Sequence, residues 1–521
     1  MLPIEALYRA ARAWPARLAV EGGGVAITYR ELVEQVDALA VGLQALDPAP
    51  QSRVGICAWN TVEHLLALLA TFAAGKVWVP LNPRNGPAEL AAMSGLTQPS
   101  IIVMDAACRT AMDPGAATVV IARPGEAAGE EQSVASLIAA KAGRTPLRHH
   151  LTLDQLAAVK FTGGSTGRPK GVMQSLRCWN TALIALREGF GFDADDRYLC
   201  AAPITHGTGA LILPVLSRGG CLVMLDKARP ETILEAFERD RITTTYLTPT
   251  MIYMMLEQPG VAERRYPHLK HLVYSGAPMR PEQIRVAQRV FNNAVETAYG
   301  QVEAPQIVTC LRADELLQER YLGSVGRAAP LVGLAIRGSD GSLLPPGQTG
   351  EIVVSGDLVM NGYLDNPAAT AETIVDGWLR TGDLGWLDED GYLFVSGRSK
   401  EMIITGGFNV FPAEVEAALG RHPAVKDCIV FGVDDPKWGE AVSAAVELKD
   451  GKSASEADLV AFVKSELDSV KAPKRIHIVS ELPRSAVGKV LRREARDLIQ
   501  AGRVTPSGST LSSPSKNTGM T

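Results

Sequence analysis

At 521 residues the chain is too long for one hydrophobic core, which predicts several domains or subdomains. Its 52 Lys and Arg against 57 Asp and Glu leave a net charge of −5 with no basic block, which argues against nucleic acid as a partner. Seven scattered cysteines, none in a C-x-x-C pair, argue against a disulfide framework or a cysteine zinc site and predict free thiols in a reducing, cytoplasmic setting.

The N-terminus, MLPIEALYRAARAWPARLAV, carries charges throughout and lacks the apolar run of a signal peptide. The most apolar early stretch, residues 65–74, is about half of what a membrane span needs, so no integral membrane segment is expected. Residues 28–46 place Leu32, Val36, Leu39, Val41 and Leu43 on one helical face with Thr28 as its cap. Strand-like runs at 54–58 and 77–81 flank a helix at 61–74, an alternation that indicates sheets covered by helices.

Residues 161–171, FTGGSTGRPKG, interrupt this rhythm. Gly163, Gly164 and Gly167 lack the Cβ that would hold a backbone away from a ligand, so successive N–H groups can turn toward an anion. Ser165 and Thr166 add hydroxyl donors, and Lys170 adds a point charge suited to phosphate. The spacing differs from G-x-x-x-x-G-K-[ST], because Pro169 precedes the lysine and no hydroxyl follows it.

Beyond the loop, a helix at 175–187 and strands at 198–203, 222–225, 244–247, 272–275 and 297–299 continue the α/β pattern. Several of these strands run into small or polar residues, APITHGTG, SGAP and YGQVEAP, and open α/β sheets gather ligands at such ends. After about residue 321, short glycine-punctuated runs at 333–337, 350–355 and 391–396 predict antiparallel strands in a small barrel or distorted sheet. A helix at 412–419, strands at 428–433 and 441–448 and a helix at 455–467 read as a separate α/β unit of roughly one hundred residues. Residues 502–521 are rich in Ser, Thr, Gly and Pro and are expected to form a disordered tail.

FTGGSTGRPKG closely resembles the signature loop of the adenylate-forming enzymes, which include acyl-CoA synthetases, aryl-CoA ligases, peptide-synthetase adenylation domains and beetle luciferases. Further matches come in that family's order, up to about residue 499: APITHGTG with His206, YGQVE with Glu303, TGD with Asp383, GRSKEMIITGG with Arg398 and Lys400, and PRSAVGKVLRR with Lys489. The resemblance implies a large N-terminal domain over residues 1–398, made of two α/β sheet subdomains and a small barrel-like one, then a mobile α+β domain over 399–501. It implies an ATP-dependent acid:CoA ligase that first joins the acid to AMP, releasing pyrophosphate, and then passes the acyl group to CoA. A carrier-protein acceptor and a catalytically weakened nucleotide-binding relative are the alternatives.

The roles implied by the resemblance each have a physical motive. Thr162, Gly163, Gly164, Ser165, Thr166, Gly167 and Lys170 would cradle the phosphates, and Glu303 with Thr166 would hold Mg²⁺, which prefers few protein oxygens and keeps phosphate and water. Tyr299 would lie beside the adenine, with Gly276, Ala277 and Pro278 leaving room and Gly300 and Gln301 completing the wall. Asp383 would accept from the ribose hydroxyls, Arg398 would donate to ribose or phosphate, and Lys489 would bridge carboxylate and α-phosphate in the transition state. Lys400 would be the hinge between half-reactions, and Thr405, Gly406, Gly407 and Phe408 would border the pantetheine channel. His206, Gly207, Gly209, Ala210 and Tyr274 would line the acyl pocket of an apolar monocarboxylate, a fatty, cyclic or aromatic acid, since no pair of cations for a second carboxylate stands out there, although Arg280 is close in sequence. The family usually carries threonine at Val302, so a hydroxyl contact to the α-phosphate is missing. Oligomeric state is left open, a homodimer included.

Overall fold

The computed structural model describes residues 2–123, 132–163, 169–225, 227–484 and 490–500. The chain divides into two compact units, Met1–Thr381 with Gly385–Val395, and Gly382–Leu384 with Ser396–Thr521. The fold is α/β, with a large N-terminal part and a smaller α+β C-terminal part.

Among the described residues the first unit is organised around two large sheets. One has the spatial order Arg327–Ala328, Ala304–Leu311, Val295–Gln301, His271–Tyr274, Thr244–Leu247, Arg197–Cys200, Cys221–Met224, Leu18–Gly22, Val25–Thr28. Its six strands from Val295–Gln301 to Leu18–Gly22 are mutually parallel, so their C-terminal ends share one edge. The other runs Gly362–Tyr363, Pro169–Ser175, Leu156–Gly163, Val77–Pro80, Arg53–Cys57, Ile101–Met104, Thr118–Ile121, parallel from Leu156–Gly163 outward. Strands such as Val77–Pro80 and Ile101–Met104 are buried at every residue, as expected of parallel strands covered on both faces.

Local signals set the helices. Thr28 accepts from the Glu31 N–H while Glu31 returns a carboxylate to the Thr28 N–H, a reciprocal cap that starts Tyr29–Leu46. Thr61 and Ser175 cap Val62–Ala73 and Leu176–Phe190 in the simpler one-bond manner. The main departure from the sequence reading is at residues 204–216. A stretch expected to be a ligand loop forms a tight π turn, Ile204–Thr208, followed by the helix Gly209–Leu216. Leu211, Ile212, Leu213, Val215 and Leu216 are all buried, so this helix is apolar around its circumference and shows no amphipathic stripe.

A third sheet orders Gly333–Arg337, Gly350–Ser355, Trp378–Leu387 and Ile374–Val375, with Leu393–Arg398 also beside Trp378–Leu387. In the second unit, Phe408–Val410, Ile403–Thr405, Gly439–Leu448 and Val425–Asp435 form a sheet, with Arg475–Val479 joined to Gly439–Leu448. Val415, Leu419, Leu459 and Val463 from the helices Pro412–Gly420 and Glu456–Glu466 close its core. All seven cysteines are free. No helix among the described residues is long and apolar enough to cross a membrane.

Candidate active site

The strand Leu156–Gly163 delivers the glycine-rich loop, and Pro169–Ser175 returns antiparallel to it with Thr162 opposite Lys170 and Gly163 opposite Pro169. Gly164, Ser165, Thr166 and Gly167 lie outside the described residues. Lys170 Nζ stands 4.8 Å from the centroid of the Tyr363 ring. The Tyr363 hydroxyl in turn donates to Glu303 Oε1 at 2.8 Å. Glu303 occupies the two-residue turn between Val295–Gln301 and Ala304–Leu311, is 8% exposed, and has its backbone carbonyl held by the Met360 N–H at 2.9 Å. A buried carboxylate with one oxygen satisfied by a neutral hydroxyl retains full acceptor capacity on the other. That is the donor set a hard cation such as Mg²⁺ takes.

Gly276, Ala277 and Pro278 follow His271–Tyr274 at the shared C-terminal edge of the large sheet, where Tyr299, Gly300 and Gln301 end the adjacent strand. Gly276 has φ +84, and a Cβ added there would meet no atom within 4 Å, so the space beside it is open. Gly300 is confined instead: a Cβ would come within 2.7 Å of the Gln306 carbonyl carbon. Tyr299 is half-buried, and Gln301 Nε2 is buried with no hydrogen-bond partner among the described residues. A buried donor left unpaired costs about 1–3 kcal/mol, so Gln301 is suited to an incoming acceptor. Val302 packs its side chain against the apolar cluster of Val172, Leu358 and Val359, and its carbonyl accepts from Gln174 Nε2 at 2.8 Å.

The segment after Arg197–Cys200 leaves the same edge. Asn60 pins it, donating to the carbonyls of Cys200 and Ala202 at 3.1 and 2.7 Å and accepting from the Ile204 N–H at 3.0 Å. His206 is exposed, and its Nδ1 is hydrogen-bonded to Thr205 Oγ1 at 2.9 Å. Although the residue is exposed, the protein beside the imidazole, and then the cations Lys160 and Arg84, lower its pKa. Gly207 allows Tyr246 to approach: a Cβ would lie 2.4 Å from Tyr246 Cε1. Gly209 likewise sits against Ile204 and the Trp78 ring. Ala210 is half-buried at the first turn of the helix. Tyr274 packs in a different cluster, with Met279, Ile284 and Phe291. Leu211 and Ile212, next along the helix, are core residues at 0% exposure.

In the second unit, Arg398 Nε donates to Asp383 Oδ1 at 2.7 Å, with the carboxylate buried and the guanidinium half exposed. Lys400 is exposed in a single 3-10 turn, Ser399–Glu401. Thr405 pairs with Phe408 across a hairpin whose turn residues, Gly406 and Gly407, both have positive φ, +58 and +84, as a tight two-residue hairpin loop demands. Thr405 is buried and Phe408 is 61% exposed. The Gly406 N–H donates to the Trp438 carbonyl at 2.8 Å, and Trp438 is itself 40% exposed. Lys489 lies outside the described residues, as does the expected tail at 502–521.

The family model of AMP-binding enzymes matches residues 7–364, and that of their C-terminal domain matches residues 414–489. The chain is an AMP-binding enzyme. Among its curated relatives are a feruloyl-CoA synthase from an Amycolatopsis species, 35% identical over 94% of this chain and 97% of the relative, and the medium/long-chain-fatty-acid–CoA ligase FadD8 of Mycobacterium tuberculosis, 33% identical over 91% and 86%. Among solved structures, ATP-bound MatB from Rhodopseudomonas palustris is 30% identical with a TM-score of 0.86, covering 96% of this chain and 100% of that one. This AMP-binding enzyme is an ATP-dependent acid:CoA ligase that works through an acyl adenylate.

Three groups of residues in this AMP-binding enzyme escaped the sequence reading. Tyr363 lies in a two-residue strand and reaches Glu303 only through the tertiary fold. Tyr246 and Gln306 wall Gly207 from two strands far from it in sequence. Lys160 interrupts the apolar run AAVKF, and that interruption was a visible signal.

Proposed function

We propose that the AMP-binding enzyme activates an acid with an apolar or ring body at the shared edge of the large sheet and transfers it to CoA. Glu303 carries this reading, as a buried carboxylate held on one oxygen by Tyr363 and, among the described residues, with no side-chain hydrogen bond on the other, which suits it to accept a cation. Mg²⁺ held there by Glu303 and Thr166 would neutralise charge on the triphosphate. Thr162, Lys170 and the glycine loop position the phosphates, Gly276, Ala277, Pro278, Tyr299 and Gln301 receive the base, and Asp383 with Arg398 takes the ribose.

A carboxylate is unreactive toward a thiol because its leaving group is an oxide; joining it to AMP supplies a good leaving group. Both reactants are anions, so the site must neutralise charge at the reacting centre, and Lys489 is the group assigned to that task. The acyl body lies along His206, Gly207, Gly209 and Ala210, beside Trp78 and Tyr246. Lys400 is the swivel of the second unit, and Gly406 and Gly407 admit the thin pantetheine arm next to Phe408. A cytoplasmic location agrees with the free thiols.

Incubating the full chain with Mg²⁺-ATP, CoA and a panel of fatty, cyclic and aromatic acids should yield thioester masses together with AMP and pyrophosphate. Acyl adenylate that is discharged only onto a carrier protein's pantetheine would replace CoA as the acceptor. Absence of acid-dependent pyrophosphate exchange into ATP would count against the assigned site as a whole.

A further inference from the structure

A cation sits where an apolar acyl pocket would have none. Lys160 lies on Leu156–Gly163, two residues beyond Ala158, which pairs with Trp78 on the neighbouring parallel strand. Its ammonium stands 4.9 Å from the centroid of the Trp78 ring and 5.6 Å from that of Trp179, and the two indoles meet edge to face at 5.9 Å and 75°. Two ring faces hold a cation through their quadrupoles without neutralising it. Among the described residues no carboxylate forms an ion pair with Lys160, and burial pushes its pKa down to about 8 against an opposing influence from Cys178. The adjoining loop, GSTGR at 164–168, contains no acid.

The surroundings place this ammonium at the acyl end of the site. Trp78 borders Gly209, and Lys160 and Arg84 both act electrostatically on His206, which puts the ammonium near the turn that precedes Gly209–Leu216. Trp78 Nε1 and Thr208 Oγ1 are also buried with no hydrogen-bond partner among the described residues. Buried unpaired polar atoms, and a half-buried ammonium with no ion pair among the described residues, are costly unless an acceptor arrives with the ligand. A purely hydrocarbon body would leave all of them unpaired.

Resting on the proposed acyl site, we propose that Lys160 determines substrate choice by meeting a second carboxylate, carried on the body of the acid at a distance from the carboxylate that is adenylated. The acid is then a dicarboxylate with an apolar or ring-bearing framework, of which one carboxyl group reacts and the other pairs with Lys160. Arginine at this position would preserve the charge and methionine would remove it at similar volume. Half-amides of the same diacids keep the shape of the second group and lose its charge, which isolates the interaction.

The test compares kcat/KM for thioester formation by the full chain with matched diacids and their half-amides, using pyrophosphate exchange as an independent reading of the first step. The wild type should favour the best diacid over its half-amide by about 100-fold, and Lys160→Met should bring that ratio down to about one, the scale of losing one partner of a charge pair. Lys160→Arg should retain most of the ratio. A wild type that exchanges pyrophosphate with neutral-bodied acids but shows no preference for any diacid overturns the assignment to Lys160 and leaves the acyl site standing. So does a Lys160→Met protein in which both acids fall alike. A folded wild type that exchanges with no acid at all overturns the acyl site, and the Lys160 assignment with it.

Discussion

Tyr363 and Glu303, 60 residues apart, are joined by a 2.8 Å hydrogen bond that links the outermost strand of one sheet to the turn at the ligand edge of the other. The bond orients a buried carboxylate without consuming its charge. Removing the hydroxyl in Tyr363→Phe should cost about 0.5–1.5 kcal/mol of stability, the usual net value of one hydrogen bond. It should also raise the Mg²⁺ concentration needed for half-maximal pyrophosphate exchange. Glu303→Gln keeps the shape and loses the charge, and should lower kcat for adenylation by about 10² to 10³ while leaving the melting temperature close to that of the wild type. A Glu303→Gln protein with unchanged Mg²⁺ dependence would remove the carboxylate from the cation's ligand set.

Gly207 is held against Tyr246, which is buried and hydrogen-bonded through its hydroxyl to the side chains of Gln306 and Ser275. Gly207→Ala would put a methyl 2.4 Å from the Tyr246 ring and 2.7 Å from Gln306 Nε2, so the ring must move and its bonds must loosen. The expected cost is about 1–3 kcal/mol, as for other overpacked interiors. Substrate profiling should show the bulkiest acids losing most, because the displaced ring narrows the space beside His206. A uniform loss across the panel would mean that Tyr246 does not wall the acyl body.

His206 is neutral in the folded protein at ordinary pH, since its pKa is pushed from 6.5 down to about 4. The unfolded chain binds a proton in that window that the folded chain refuses, so stability rises with pH between about 4 and 6.5 and is indifferent to this group above it. Urea melts at pH 5 and pH 7 should show a smaller difference for His206→Gln than for the wild type. Histidine resonances followed by NMR supply a second check, because Lys160→Met removes one of the two cations and should move the His206 titration upward. An unmoved titration would separate Lys160 from His206.

The parts of the site that were legible in the sequence are those where chemistry concentrates in a few consecutive residues. The YGQVE turn and the Gly406–Gly407 hairpin each show a local pattern that neighbouring residues alone explain, while Gly164 and Gly167 lie outside the described residues. Tyr363 was illegible because its role depends on a contact between strands of different sheets, which no local pattern encodes. The helix Gly209–Leu216 was missed for a related reason: a helix buried on every side has no periodic polar face to betray it, and APITHGTG drew attention to the turn before it. Lys160 was legible only as an anomaly within an apolar strand, and its indole neighbours come from a separate strand and a separate helix.

The two half-reactions should be separable by substitutions in the second unit. Gly406 has φ +58, and a Cβ there would lie 2.8 Å from Trp438 Cε3, so Gly406→Ala both strains the hairpin turn and presses on an exposed indole. Glycine is tolerated at such backbone angles where other residues pay about 1 kcal/mol or more. Acid-dependent pyrophosphate exchange should therefore stay within a few-fold of the wild type, while transfer from supplied acyl adenylate to CoA falls by about 10-fold or more, in line with a misplaced binding element. Lys489→Ala should show the opposite pattern, with exchange reduced by about 10² to 10³ and transfer from supplied acyl adenylate retained. If both variants slowed both steps equally, neither Gly406 nor Lys489 would belong to one half-reaction, and the division of labour assigned to them would fail.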